Sequence, residues 1–176
     1  MQEKDKLNIL RHSRHDWMNV VQVIKGNLQL DRKDRVYDIL NEVTRRAEHE
    51  AKLSDLNTPD LAYKLITFNW QWQKFHLDIE MIGKPIDCAR HEMCWLKFFD
   101  QFFEKLTEQS DSMTDPNLLV SFHLQETPYI EFDFQGGIQD MKNMQEWLAE
   151  WKVSSSCYVE NIVANEQELV FVLNKK

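Results

Sequence analysis

The chain has 176 residues, of which 43% are hydrophobic and 28% charged, a composition typical of a folded protein rather than a disordered one. This length suits one ordinary domain or two small ones. The formal net charge of -8 argues against nucleic acid as the main partner, because phosphate contacts need a basic surface.

Two amphipathic helices are predicted to open the chain, joined by a short polar connection. The first is predicted over 6–28 and the second from about 33 to 55. Apolar residues in the first recur at alternating three- and four-residue steps, which is a heptad seam. The seam consists of Leu7, Leu10, Trp17, Val21, Ile24 and Leu28. This pattern predicts an antiparallel helical hairpin over 1–56.

The hairpin has too little core to be stable alone. Its apolar faces can be covered by a second copy, which gives a four-helix bundle across a two-fold axis, or by the rest of its own chain. We favour the homodimer over the fold-back arrangement.

A second domain is predicted over 57–176. Thr58 is a candidate N-cap and Pro59 the first residue of a helix that runs to about 72. The elements predicted to follow are a strand over 75–82, a helix over 87–109, a strand pair over 118–125 and 129–134, a helix over 138–152 and strands over about 156–163 and 168–173. The inward side of helix 87–109 is expected to carry Met93, Leu96, Phe99, Phe103 and Leu106. The order predicts an α+β fold, an α/β sandwich with helices packed on one sheet.

The cysteines favour a reducing compartment. Cys88, Cys94 and Cys157 contain no CxxC pair, which indicates reduced thiols. Cys88, Cys94 and His91 are spread around a helix without a fourth ligand, so we interpret them as buried small residues near a surface histidine and expect no metal site. With no signal peptide and no apolar run near the roughly 20 residues that span a bilayer, we expect a cytoplasmic protein without membrane contact.

His15 has the placement of an exposed nucleophile. At 100° per residue, the seam from Trp17 onward stays within about 40° of Leu10, whereas His15 lies about 140° away and Asn19 about 180° away. Arg11, His15 and Asn19 follow one ridge of the helix at four-residue steps. A neutral imidazole on such a ridge can enter the acidic pocket of a partner and capture a phosphoryl group.

The neighbours of His15 suit phosphoryl transfer, which needs in-line positioning and neutralisation of phosphate charge. Asp16 can orient the ring or accept its proton, and Asn19 can bond an oxygen of the phosphoryl group or of the partner. Arg14 and Arg11 can balance charge. Most exposed helical histidines have no function, and His12 is a competing acceptor, so the assignment depends on the combined pattern.

That pattern, His15-Asp-x-x-Asn19 on a helix with a dimerising seam, resembles the phosphoacceptor segment of bacterial histidine kinases. A larger part of the chain resembles the sporulation initiation phosphotransferase B family of spore-forming bacteria. The similar segments are 12–19, 23–28, 56–62 and 67–70. The sequence similarity covers the hairpin and the start of the second domain. After about residue 75 only the predicted order of helices and strands is similar.

The resemblance implies a dimeric bundle that displays one phosphorylatable histidine per chain, which maps onto His15. It also implies that 57–176 is shaped like a histidine-kinase ATPase domain but does not use ATP. Two response-regulator proteins are implied as partners. The phosphoryl group arrives from the aspartate of one and leaves to the aspartate of the second, a transcription factor that starts sporulation. We expect no cofactor in this chain and Mg²⁺ in the regulator's site.

An ATP site needs glycine-rich loops that let backbone approach phosphate. The chain has four glycines, and only Gly136-Gly137, after a predicted strand, resembles such a loop. We interpret it as a turn and expect no autokinase activity. Two alternatives stay open: a dimeric kinase-like binding module that sequesters a regulator or kinase without phosphotransfer, and a true histidine kinase.

Overall fold

The computed structural model describes residues 3–71, 74–110, 115–154 and 156–175. It contains two compact units, Met1–Glu48 and His49–Lys176. Within the described ranges, no helix is both long enough and apolar enough to cross a membrane.

The first two helices are α1 (Glu3–Gln29) and α2 (Lys33–Ser54), close to the predicted 6–28 and 33–55. The tight connection is closed by backbone hydrogen bonds, in which Arg32 N–H donates to the Asn27 carbonyl at 2.9 Å. Asp31 takes a left-handed conformation there, with φ of 53°, which aspartate tolerates better than most residues. The two predicted helices and their short connection are confirmed.

The second unit places three helices and five strands in the order that the sequence predicts. They are α3 (Pro59–Ile66), β1 (His76–Gly83), α4 (Glu92–Gln109), β2 (Asn117–Leu124), β3 (Tyr129–Gln135), α5 (Met141–Ser154), β4 (Cys157–Asn165) and β5 (Glu168–Lys175). The strands form one sheet in the order β1-β2-β3-β5-β4. Of the four strand pairs that the structure describes, β1–β2 is parallel and the other three are antiparallel. The predicted α+β fold class is confirmed.

An aromatic core joins α4 to the sheet. Phe98, Phe99 and Phe102 of α4 are fully buried, and Phe132 and Phe171 face them from β3 and β5. The Phe102 and Phe171 rings meet edge to face at 5.1 Å between centroids, and the Phe98 and Phe132 rings at 5.3 Å. Edge-to-face pairs of this kind stabilise a core beyond the burial of their area.

Three local predictions in this unit are wrong. The α3 helix ends at Ile66 and is followed by a 3₁₀ turn over Phe68–Trp70, so it does not reach the predicted end at Trp72, a residue outside the described ranges. The α4 helix begins at Glu92 after a 3₁₀ turn rather than at 87. Met93 is 84% exposed, because the buried stripe of α4 follows Trp95 and Phe98 on another side of the helix.

The α3 N-terminus is capped from a distance. Thr58 occupies the N-cap position, as predicted, but its side chain makes no capping hydrogen bond. The Glu92 carboxylate instead accepts hydrogen bonds from the backbone N–H of Asp60 at 2.8 Å and of Leu61 at 3.3 Å. These are two of the donors that a helix leaves unpaired at its first turn.

The cysteine prediction is wrong for two of the three residues. Cys94 on α4 and Cys157 on β4 are joined by a disulfide bond, with their Cα atoms 6.2 Å apart. Cys88 is free and buried. Burial, together with the nearby Asp87 carboxylate, raises the pKa of the Cys88 thiol to about 11, so this thiol is protonated and unreactive at neutral pH.

Candidate functional site

The site is built on one turn and a half of α1. His15 and Asp16 expose 73% and 51% of their side chains. The Asn19 amide nitrogen Nδ2 lies 3.2 Å from Nδ1 of His15, and Oδ1 of Asp16 lies 3.7 Å from the same ring nitrogen. The structure therefore brings together the three residues that the sequence pattern singles out.

Both neighbours lie on the Nδ1 side of the ring. An ionised carboxylate can only accept, so Asp16 favours the tautomer that carries its proton on Nδ1. The Asn19 amide fits either tautomer, because it can turn either its nitrogen or its oxygen toward Nδ1. Nε2 of His15 makes no hydrogen bond or ion pair with the residues that the structure describes. It is the ring atom left open to a partner.

The remaining candidates lie on the same stretch of α1. Arg11, His12 and Arg14 are exposed. Neither arginine forms a hydrogen bond or ion pair with a residue in the described ranges, so both guanidinium groups can meet an anionic partner. His12 is also exposed, but it has no carboxylate or amide paired with its ring among the described residues.

The predicted seam of α1 is open in the single chain. Its members Leu7, Leu10, Trp17, Val21 and Leu28 each expose more than half of their surface. A row of large apolar side chains in water is unfavourable and marks an interaction surface.

Gly136, which follows β3, has a packing role. A Cβ atom added at Gly136 would lie 2.5 Å from Cβ of Pro116 and 3.0 Å from the Phe134 ring, closer than real contacts allow. The Gly136 N–H donates to the carbonyl of Gln167 at 2.8 Å. Glycine is needed at this turn because two segments of the chain approach each other.

His91 is buried rather than on the surface, which corrects the sequence-based interpretation. Its ring is 4% exposed and stacks on Trp95 at 4.8 Å between centroids. Arg90 Nε donates a hydrogen bond to His91 Nε2 at 3.1 Å. Burial, with the charges of Lys175 and Arg90, lowers the pKa of His91 to about 4, so the ring stays neutral at physiological pH.

Comparison with protein families covers the whole chain. A sensor kinase SpoOB-type alpha-helical domain matches residues 1–56, and the C-terminal domain of sporulation initiation phospho-transferase B matches residues 57–176. The chain belongs to the sporulation initiation phosphotransferase B family. Sporulation initiation phosphotransferase B of Bacillus subtilis (strain 168) is 36% identical over 137 residues, which cover 76% of this chain and 71% of that relative.

Among solved structures, the blue-light activated histidine kinase of Erythrobacter litoralis EL346 aligns with 99% of this chain at 8% identity and a TM-score of 0.44. The histidine kinase domain of that protein aligns with 67% of the chain at 4% identity and a TM-score of 0.42. The chain spans 60% of the length of the first of these structures and 58% of the length of the second.

Proposed function

We propose that this chain is a phosphorelay phosphotransferase in the initiation of sporulation and that His15 is its phosphoacceptor. The phosphoryl group comes from the aspartate of one response regulator and passes to the aspartate of a second, which is a transcription factor. The observation that carries the proposal is the exposed His15 ring with Asp16 and Asn19 on Nδ1 and an open Nε2. Membership of the family supports it.

The chemistry needs only a nucleophile held in line. The Nε2 lone pair attacks the phosphorus of the aspartyl phosphate, the bond from phosphorus to the carboxylate oxygen breaks, and the aspartate leaves as a carboxylate. Nδ1 keeps its proton, which Asp16 stabilises as the ring becomes cationic. The second regulator reverses the step, since its aspartate attacks phosphorus and Nε2 departs with its lone pair.

The charge on the transferring group is neutralised from both partners. Arg14, which is exposed and unpaired among the described residues, can contact phosphoryl oxygens from this chain. A magnesium ion in the regulator's own site would supply the remaining positive charge. This chain then needs no metal of its own.

The chain has no autokinase activity in this proposal. The close approach of Gly136 to Pro116 accounts for the one loop that resembles a nucleotide site. The phosphoryl group therefore has to come from another protein rather than from ATP.

The exposed α1 seam supports a homodimer. Two copies of the hairpin can bury Leu10, Trp17 and Val21 in a four-helix bundle and leave His15 on the outer ridge.

The test is transfer of radioactive phosphate from a phosphorylated response regulator to the purified chain. The wild type should take up label, and His15→Gln should abolish uptake. His12→Gln is a matched control, since it removes an exposed imidazole from the same helix and should leave uptake unchanged. Addition of the second regulator should then move label from the wild type to that protein.

The outcome separates phosphotransfer from sequestration. If the wild type binds a regulator stably but takes up no label, the chain is a binding module and the proposal is wrong. Uptake that survives His15→Gln would contradict the assignment of His15, and incorporation of the γ-phosphate from ATP by the chain alone would contradict the absence of kinase activity.

A further inference from the structure

The five-stranded sheet has one face packed against the aromatic core. The helices that the structure describes in this unit bury their apolar residues in that same core, and none of them covers the second face. Strand residues alternate between the two faces. On β2 the residues Leu118, Val120 and Phe122 are fully buried in the core, so the intervening positions belong to the second face. We call this second side the outer face.

The outer face carries acidic residues on four of its five strands. Its acidic residues lie on β1, β3, β4 and β5, and they are Asp78, Glu80, Glu131, Asp133, Glu160 and Glu168. Among the outward positions that the structure describes on these five strands, none is Lys or Arg. The outer face is therefore a sheet surface of a single sign of charge.

One row of the sheet shows how these carboxylates are arranged. The register places Glu80 beside Ser121, Ser121 beside Glu131, Glu131 beside Val172, and Val172 beside Glu160. We call these five residues the glutamate row. Strands lie roughly 4.8 Å apart, so the three carboxylates are spaced about 10 Å apart across the whole sheet.

Among the residues that the structure describes, no lysine or arginine pairs with the glutamate row. Ser121 Oγ donates to Glu80 at 3.3 Å, and Asn174 Nδ2 donates to Glu160 at 2.7 Å. His123 Nε2 lies 3.4 Å from Glu131. The serine and asparagine donors hold Glu80 and Glu160 in place without cancelling their charge. The three like charges of the row repel one another in the free protein, and a cationic surface laid over them removes that cost.

Apolar residues of the outer face lie next to these acidic residues. Leu119 lies between Asp78 and Asp133 in the adjacent row, and Val170 follows Asp133. All of these side chains are partly exposed or exposed. A surface that alternates carboxylates with partly exposed aliphatic side chains is complementary to one in which Lys and Arg alternate with apolar side chains.

The two units also differ in net charge. Residues 1–48 contain ten Lys and Arg against eight Asp and Glu, whereas residues 49–176 contain eleven against twenty-one. The unit that carries His15 is thus slightly basic, and the unit that carries the outer face is strongly acidic. An acidic aspartate pocket of a regulator is attracted by the first unit and repelled by the second.

We propose that the outer face, centred on the glutamate row, docks a basic protein surface, and that this surface is the nucleic-acid-binding face of the acceptor regulator. The assignment of the partner rests on the proposed function, in which the acceptor is a transcription factor. A protein that binds DNA presents Lys and Arg to the phosphate backbone. In this proposal the donor regulator makes no contact with the outer face, so the outer face distinguishes acceptor from donor.

The experiment compares both transfer steps in two triple variants. Glu80→Gln, Glu131→Gln and Glu160→Gln together remove three charges from the glutamate row and keep the shape and one acceptor oxygen of each side chain. The matched control, Glu104→Gln, Glu108→Gln and Glu146→Gln, removes the same charge from exposed or partly exposed positions of α4 and α5. Circular dichroism and thermal unfolding check that both variants fold.

Only the step that involves the acceptor should change. At low salt the glutamate-row variant should bind the full-length acceptor about tenfold more weakly, the combined effect of three modest charge contacts. Its uptake of label from the donor should equal that of the wild type. Duplex DNA that carries the acceptor's binding site should weaken wild-type binding to the acceptor and leave uptake from the donor unchanged.

Three results would overturn the inference. These are equal acceptor binding by the glutamate-row variant and the wild type, an equal loss in the matched control, and no competition by DNA. Each of them can occur while the wild type still passes label from donor to acceptor, so the proposed function would survive. Absence of any label on wild-type protein would instead remove the proposed function itself.

Discussion

At the scale of single residues, the arrangement around His15 follows from helix geometry. Asp16 is the next residue and Asn19 lies one turn further on, so a helix places both near one edge of the ring. The structure adds which edge it is, since both contacts fall on Nδ1. The sequence pattern alone could not distinguish the two ring nitrogens, because that depends on side-chain torsions.

Replacement of Asp16 by Asn should slow phosphorylation of His15. The amide no longer favours a proton on Nδ1 and no longer stabilises a cationic ring, so we expect uptake of label from the donor to fall by about tenfold or more. The measurement is the initial rate of uptake at fixed donor concentration. Asp38→Asn, which removes an exposed acid from α2, is the control. Equal rates for Asp16→Asn and the wild type would show that the carboxylate has no role.

His91 gives the protein a pH-dependent stability. The folded ring keeps a pKa of about 4, whereas a histidine in the unfolded chain titrates near 6.5. The unfolded state therefore binds more protons between these values, and stability is lost as pH falls from about 6.5 towards 4. The loss of unfolding free energy over this pH interval amounts to about 3 kcal/mol.

Denaturant unfolding between pH 7.5 and 4.5 measures this effect. The free energy of unfolding of the wild type should drop across the range, and His91→Phe, which keeps an aromatic ring against Trp95, should show a shallower drop. His12→Gln removes an exposed histidine and should keep the wild-type slope. Parallel curves for His91→Phe and the wild type would contradict the assignment.

At the scale of elements, periodic patterns predicted the long helices and the strands well. The seam of α1, the hairpin connection and the β2–β3 pair depend on neighbours in sequence, and all three are where the patterns place them. The errors have nonlocal causes. The cap of α3 comes from Glu92, more than thirty residues away, and the disulfide links Cys94 to a strand near the end of the chain. The burial of His91 depends on packing that no short pattern encodes.

The seam of α1 can be tested with two valines. Val21 lies in the seam and Val23 outside it, and their exposures of 54% and 51% are nearly equal in the single chain. Val21→Glu should dissociate the proposed dimer, because it places a charge in the buried interface of the bundle. Val23→Glu should leave the dimer intact.

Sedimentation equilibrium at micromolar concentration gives the mass of each variant. The wild type and Val23→Glu should sediment as two chains and Val21→Glu as one. A wild-type mass of one chain would contradict the dimer, and dissociation by Val23→Glu alone would place the interface on the opposite side of α1.

At the scale of the whole molecule, the two units differ in charge and in the residues that they present. The hairpin unit presents the exposed His15 ring on the same stretch of α1 as the exposed Arg11 and Arg14, and the α+β unit carries a strong net negative charge. Both parts match models of one family. In this account the first unit reacts with each regulator in turn, and the second favours the regulator that has a basic surface.

The role of His15 as phosphoacceptor is tested by locating the phosphoryl group after reaction with the donor regulator. We expect an acid-labile, base-stable phosphate on the α1 peptide, with fragment masses that place it on His15. A phosphate on His12, or on any residue of 49–176, would show that His15 is not the phosphoacceptor.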